Sequence, residues 1–258
     1  MTLGPYAGGL SAAFGNAALP GSVASARFAI RVAIIHGNRM SAELLQAHCA
    51  GAWGCDVTTL ESVGRDGVLS VERTRPDIMI VGHQLPAVNC LALLPQLKQA
   101  AKSAKLIVTV SQLNDYLVHR LASQHLHAIV EEVSEGIAAI HASIERVRDG
   151  GRSLSPRFVH LGARLRSDPT AFPKIISARQ EEVLVCVAHA MSDEEIGRTL
   201  GMSTGTAKRH RANIARTLNL RSAPQQLIRF AVDNGFSSVP PPTRSLPGNA
   251  NVIKSPSP

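Results

Sequence analysis

The sequence is short of the residues that most cores and reactive sites are built from. Aromatic side chains make up 3% of its 258 residues, so its cores must be aliphatic and rich in alanine. Four cysteines are present, Cys49, Cys55, Cys90 and Cys186, with no CxxC pair among them. That spacing excludes zinc-ribbon and dithiol redox motifs and fits buried free thiols in a reducing cytosol. There is no GxGxxG, no phosphate-binding P-loop and no GxSxG elbow, so dinucleotide, nucleotide and acyl-transfer chemistry have no motif behind them. The chain is therefore read as a non-enzyme with no cofactor. No apolar run reaches membrane-spanning length, so no membrane partner is expected and the location is read as cytoplasmic. Residues 1–28 are rich in small side chains but lack a positive start and a continuous apolar centre, and they read as a disordered tail rather than a secretory signal. Residues 237–258, rich in proline and serine, read as a second disordered tail.

Charge is present but unevenly placed. The formal net charge is +8. Residues 31–150 are close to neutral, whereas 151–235 carry a basic excess. A neutral front and a basic back point to a polyanion as the partner of the back half.

In residues 29–150, apolar runs alternate with helical patterns. Strands are expected at Arg31–Ile35, Asp56–Leu60, Asp77–Val81, Leu106–Val110 and His127–Val130, with helices at 40–50, 66–74, 88–101, 114–124 and 135–148. Unbroken runs such as IMIV suit strands covered on both faces. Five strand–helix repeats predict an α/β fold, a doubly wound five-stranded parallel sheet whose functional edge is the carboxyl end of its strands. That edge would carry His36, Gly37, Gly82, His83, Thr109, Glu131 and Glu132.

Residues 151–171, rich in Arg, Ser, Gly and Pro, read as a linker with a short helical piece at 156–165. Residues 172–236 are helical throughout. Ser177 can cap a first helix, Ser192 and Glu195 form a capping box for a second, and Gly201 suits the left-handed residue that ends it. Ser203 caps a third helix at 204–218, and Ser222 caps a fourth. This predicts an all-α, four-helix domain with helix-turn-helix spacing. On the third helix, Ala207, Ile214 and Leu218 must face the core. Gly205, Arg209, Ala212 and Arg216 fall opposite, with Lys208 on the flank. Lys208 and Arg209 are placed to reach base edges, and Arg211 to reach a phosphate from nearer the core edge. Ser203, Thr206, His210 and Asn213 suit backbone oxygens.

Two resemblances follow from these residues. RPDIMIVGHQLP, AKLIVTVS and AIVEEVSEGIAAIHASIERVRDGGRSLSP resemble the third strand, fourth strand, and fifth strand with last helix and exit of the receiver domain of two-component response regulators. The resemblance implies an aspartyl phosphorylation site, and the sequence departs from it. Gly82 stands at the phosphoacceptor position, His36 and Gly37 replace the magnesium-binding acids, and Glu131 takes the place of the lysine. Only the hydroxyl position survives, as Thr109. The pocket is thus expected to be degenerate and not phosphorylated. It could serve dimerisation through the faces of the fourth and fifth helices of this domain, or gating by a regulatory protein or small ligand. A metal held by His36, His83 and Glu131 or Glu132 is a further reading, and none is expected. The run ISARQEEVLVCVAHAMSDEEIGRTLGMSTGTAKRHRANIARTLNLRS resembles the LuxR/NarL/FixJ-type DNA-binding domain, with Ala190 where that family commonly has glycine. This implies double-stranded DNA as partner, helix 204–218 as the reader and a homodimer that meets through the last helix. The whole chain is expected to be a phosphorylation-independent transcription regulator. An adaptor that forms mixed dimers with other regulators is the alternative.

Overall fold

Strand formation follows the β-branched runs. The computed structural model describes residues 30–53, 55–60, 65–85, 88–220 and 224–242. The tail at 1–28, Ser222 and residues 243–258 lie outside the described residues. The first half runs β1 (Arg31–Ile35), α1 (Arg39–Trp53), β2 (Asp56–Thr59), α2 (Arg65–Thr74), β3 (Ile78–Gly82), a small hairpin of β4 (Gln84–Leu85) and β5 (Val88–Asn89), then α3 (Cys90–Ala100). It continues with β6 (Lys105–Val110), α4 (Asp115–Ala122), β7 (Ala128–Glu131) and α5 (Glu132–Arg148). Every residue of β3 and β7 is buried, as expected of strands covered on both faces.

The sheet order is β2-β1-β3-β6-β7-β8, all parallel. It has six strands where five were expected. The extra one, β8 (Ser153–Leu154), is the start of the expected linker, which pairs with β7 before α6 (Pro156–Ser167) begins. Within α5, Gly136 takes φ +66 and breaks the helix, a backbone conformation costly for any residue with a Cβ.

The second half is α7 (Phe172–Ile175), α8 (Ala178–Ala188), α9 (Asp193–Leu200), α10 (Thr204–Thr217) and α11 (Pro224–Asp233). Ser177 and Ser192 both form complete capping boxes, with Gln180 and Glu195 reaching back. Gly201 ends α9 at φ 64. Gly197 permits the tight turn, since a Cβ there would stand 2.8 Å from the Met202 carbonyl oxygen. The first residues of the stretch expected as a second tail are structured. A 3₁₀ turn at Phe236–Ser238 follows α11, Val239 is buried, and the Val239 carbonyl oxygen lies 2.9 Å from His189 Nε2.

One core lies on the α1 and α5 side of the sheet, around Ile34, Ile80, Ile107 and Ile144. The core on the other face, around Val81, Leu94 and Leu117, runs without a break into the helical domain. The few aromatics concentrate at that junction: Tyr116 of α4 lies 4.5 Å from Phe236, and Phe236 lies 5.1 Å from Phe172. The Tyr116 amide donates to Asn234 O at 3.1 Å. Glu181 of α8, 5% exposed, meets His119 Nε2 at 3.2 Å and Arg120 Nη1 at 3.3 Å from α4. The four thiols are free and buried, and burial pushes Cys49 and Cys90 up to about 12 and Cys186 up to about 11, so they are inert at neutral pH. Among the described residues no helix is long and apolar enough to cross a membrane.

Candidate functional site

The helix-turn-helix presents α10 outward. Ala207 and Ile214 are fully buried and fix the helix's rotation, with Leu218 partly buried beside them. Ser203 caps it by accepting from the Thr206 amide at 3.1 Å, and its hydroxyl also meets the Thr206 hydroxyl at 2.8 Å. Gly205, Thr206, Lys208, Arg209, Ala212 and Arg216 are exposed, and His210 and Asn213 are half-buried. Lys208 and Arg209 make no hydrogen bond or ion pair among the described residues. Their charges stand unneutralised on a helix made slim by Gly205 and Ala212. Arg216 leans on Asn213 Oδ1 at 3.3 Å, so those two groups partly occupy one another.

Arg211, unlike Lys208 and Arg209, has a partner within the domain. Its guanidinium donates to Asp193 Oδ1 at 2.8 Å, and both side chains are mostly covered. It ties α10 to the start of α9, so a phosphate would share it with Asp193. Asp193 sits in the first turn of the preceding helix, and only the turn between the two helices brings it beneath Arg211.

At the carboxyl edge of the sheet, the space above Gly82 is filled by His36. The His36 ring packs on Gly82 so closely that a Cβ on Gly82 would stand 2.7 Å from His36 Cδ2. The His36 ring is oriented from both sides. The Asn38 amide donates to Nδ1 at 3.0 Å, and Nε2 lies 2.8 Å from Glu132 Oε1. The imidazole thus occupies the space in which a side chain at position 82 would stand. His36 and Glu132 hold each other in place, and the hydrogen bond from His36 is the main cause of the lowered pKa of Glu132.

Of the two glutamates expected at this edge, it is Glu132 rather than Glu131 that meets His36. Neighbouring residues at a strand end point to opposite faces, so an error of one residue reverses a side chain. Glu132 faces the pocket. Glu131, 1% exposed, faces the other way and accepts from the Leu113 amide at 2.6 Å, the Ser134 hydroxyl at 2.6 Å and Arg157 Nη1 at 3.1 Å. It joins the loop after β6, the start of α5 and helix α6. Thr109 is completely buried, and its hydroxyl has no partner at full hydrogen-bonding geometry, although it helps keep Glu132 ionised. Gly37 lines the same pocket beside Asn38. Among the described residues no group of three or more His, Cys, Asp or Glu side chains is arranged to hold a metal ion.

The face of α4, expected to be open for dimerisation, is covered. Tyr116, His119 and Arg120 of α4 meet Phe236 and Glu181 from the helical domain, and Asp115 pairs with Arg164 of α6.

Comparison with known proteins agrees with both halves. The family model for bacterial regulatory proteins of the luxR family matches residues 174–231. The transcriptional regulatory protein MctR of Rhizobium johnstonii is 22% identical over 214 residues, covering 81% of this chain and 96% of its own length. The HTH-type transcriptional regulator YhjB of Escherichia coli K12 is 44% identical over 61 residues, 24% of this chain and 30% of its own. The solved structure of RcsB from Salmonella enterica serovar Typhimurium bound to promoter rprA superposes with a TM-score of 0.55 at 14% identity, covering 80% of this chain and 99% of RcsB. That likeness shows the fold, a receiver-type α/β domain followed by a luxR-type helix-turn-helix domain.

Proposed function

Starting from residues 174–231 as a luxR-type DNA-binding domain, we propose that this chain is a transcription regulator that reads double-stranded DNA without phosphorylation of its receiver-type domain. One observation carries the second part of that reading: His36 lies on Gly82 where the phosphoacceptor side chain of a receiver would stand, with its ring bonded to Glu132. An aspartate cannot be accommodated there without evicting the histidine. The ionised Glu132 beside it opposes an incoming phosphoryl group.

DNA reading is supported by the exposure of Lys208 and Arg209 and by their lack of partners among the described residues. In this arrangement the domain junction covers α4 and leaves α10 open, so reading needs no release of one domain from the other. We take residues 29–150 as the receiver-type domain, 151–171 as a structured connector and 172–236 as the reader, working in the bacterial cytoplasm as a homodimer on DNA. Arg216, Asn213, Ser203 and Thr206 then lie along the phosphate backbone, where contacts position the protein and carry no sequence information.

The test is incubation with acetyl phosphate followed by intact mass measurement and an electrophoretic shift on the same sample. The expected result is no phosphoryl adduct on residues 30–150 and the same duplex affinity with and without the donor. An adduct there, or a shift that requires the donor, overturns the reading. A chain that binds no duplex in either sample is instead the adaptor.

A further inference from the structure

The strand order reverses about β1, which has β2 on one side and β3 on the other. In open α/β sheets the crevice beyond such a reversal is where ligands sit. His36 and His83 stand on its two sides here. A polar pocket of about 260 Å³ opens between them, bounded also by Asn38, Gln84, Ser111 and Glu132. His83, Gln84 and Ser111 also border a larger cleft of about 730 Å³. That cleft is also lined by Arg157 and Arg164 of α6, by Asp233 of the DNA-binding domain and by Ser237 in the 3₁₀ turn after it. The small pocket and the large cleft share a border, so a single molecule can reach from the sheet edge to the DNA-binding domain.

His83 is 6% exposed and lines both cavities, yet its ring makes no hydrogen bond among the described residues. Burial pushes its pKa down to about 4, so at neutral pH it presents one donor and one acceptor, both unused. They face the pocket and are open to whatever fills it. Beside it stands Glu132, ionised and bonded through Oε1 to His36, with its other oxygen left for a ligand, and no lysine or arginine borders the inner pocket. In the outer cleft the cations are already matched: Arg157 by Glu131, and Arg164 by Asp115. The inner pocket therefore repels carboxylates and phosphates and rewards a positively charged hydrogen-bond donor.

We propose that this cleft binds a small amine, whose ammonium group donates to Glu132 and to the unprotonated ring nitrogen of His83, with the rest of the molecule lying against α6 and the end of the DNA-binding domain. Because two of its walls belong to different domains, occupancy couples the sheet edge to the placement of the reader. The inference goes beyond phosphorylation-independent DNA reading and stands or falls separately from it.

The experiment is NMR on the full chain with ¹⁵N-labelled histidine, titrating 1,4-diaminobutane and ethanolamine, with acetate and inorganic phosphate as comparison ligands. The expected result is saturable movement of the His83 and His36 ring signals with at least one amine and none with the two anions. Glu132→Gln should weaken amine binding at least tenfold. Ser111→Leu, which fills the pocket from its rim without touching the His36–Glu132 bond, should weaken it similarly and guards against misfolding of the first variant. Non-saturating shifts, equal responses to anions, or unchanged affinity in the folded variants overturns the proposal. The assay contains neither a phosphodonor nor DNA, so its failure leaves the functional reading intact.

Discussion

His36 and Gly82 form an interlocked pair: the ring of one rests on the backbone of the other, 2.7 Å from where a Cβ would be. Replacement of Gly82 by alanine should therefore displace the ring and strain its bond to Glu132. We expect a loss of about 1–3 kcal/mol in urea unfolding, the usual range for overpacking a filled site. In a His36→Ala background the same change should cost much less, and a double-mutant cycle would read the difference as coupling. Gly82→Asp should destabilise likewise and still give no phosphoryl adduct, because the acids and lysine of a receiver site are absent too.

Gly235 should prove as intolerant as Gly82. It sits at φ +85 at the end of α11, and a Cβ there would fall 2.1 Å from Asn114 Cγ. Asn114 is occupied in capping α4, accepting from the Leu117 amide at 2.9 Å. Gly235→Ala is expected to prise the domains apart while each stays folded. Small-angle scattering should show a larger radius of gyration, and trypsin should cut faster around 164–174. An unchanged scattering profile would count against a junction held at this point.

On α10, Lys208 and Arg209 should behave differently from Arg211. Alanine at both of the first two should weaken duplex binding and flatten the dependence of log K on log salt by about 2, near 0.9 for each lost phosphate neutralisation. If Arg209 instead bonds a guanine, the slope falls by about 1 and discrimination at one base pair relaxes by roughly 1–3 kcal/mol. Arg211→Ala should leave the slope nearly unchanged and cost about 0.5–1 kcal/mol of stability through loss of its pair with Asp193. Salt-series titrations on the circular-dichroism-matched variants would decide.

Ala190 offers a stabilising change. It occupies the left-handed region at φ 56, at the turn between α8 and α9. A Cβ in that conformation costs roughly 1–2 kcal/mol, partly offset by the greater unfolded freedom of glycine. Ala190→Gly should raise stability by about 0.5–1 kcal/mol, visible as a higher thermal midpoint with the DNA affinity unchanged.

His83 should give the protein an acid sensitivity of a particular sign. Its pKa falls from 6.5 to about 4 because burial disfavours the charged ring. The unfolded chain then takes up a proton that the folded one refuses. The stability associated with the neutral ring is complete above about pH 6.5 and declines as pH falls toward 4, by up to roughly 3 kcal/mol. Urea midpoints between pH 7 and pH 4.5 should fall less steeply in His83→Leu than in the parent protein.

Much of this architecture was legible from periodicity. IMIV and LIV announced buried strands, and the Ser192–Glu195 and Gly201 signals marked the ends of α9 because capping is a local matter of a few adjacent groups. Lys208 and Arg209 were legible by helical angle. The partner of Arg211 was not, since Asp193 lies 18 residues away and the pair depends on the turn between helices. The places of Glu131 and Glu132 depended on register to a single residue at a strand end, which sequence patterns do not resolve. Residues 153–154 looked like linker because a two-residue strand has no period to detect. The interlock of His36 with Gly82 was hidden for a different reason: a missing side chain reads as a loss until the neighbour that fills its space is seen.

The connector between the domains is itself the outermost strand of the sheet followed at once by a helix. A chain built this way keeps its slack to the short turn between α6 and α7. Two such chains sharing a duplex would act as calipers with fixed jaws, and the distance between their half-sites on DNA would be measured out by the protein's own dimensions rather than by a stretchable leash.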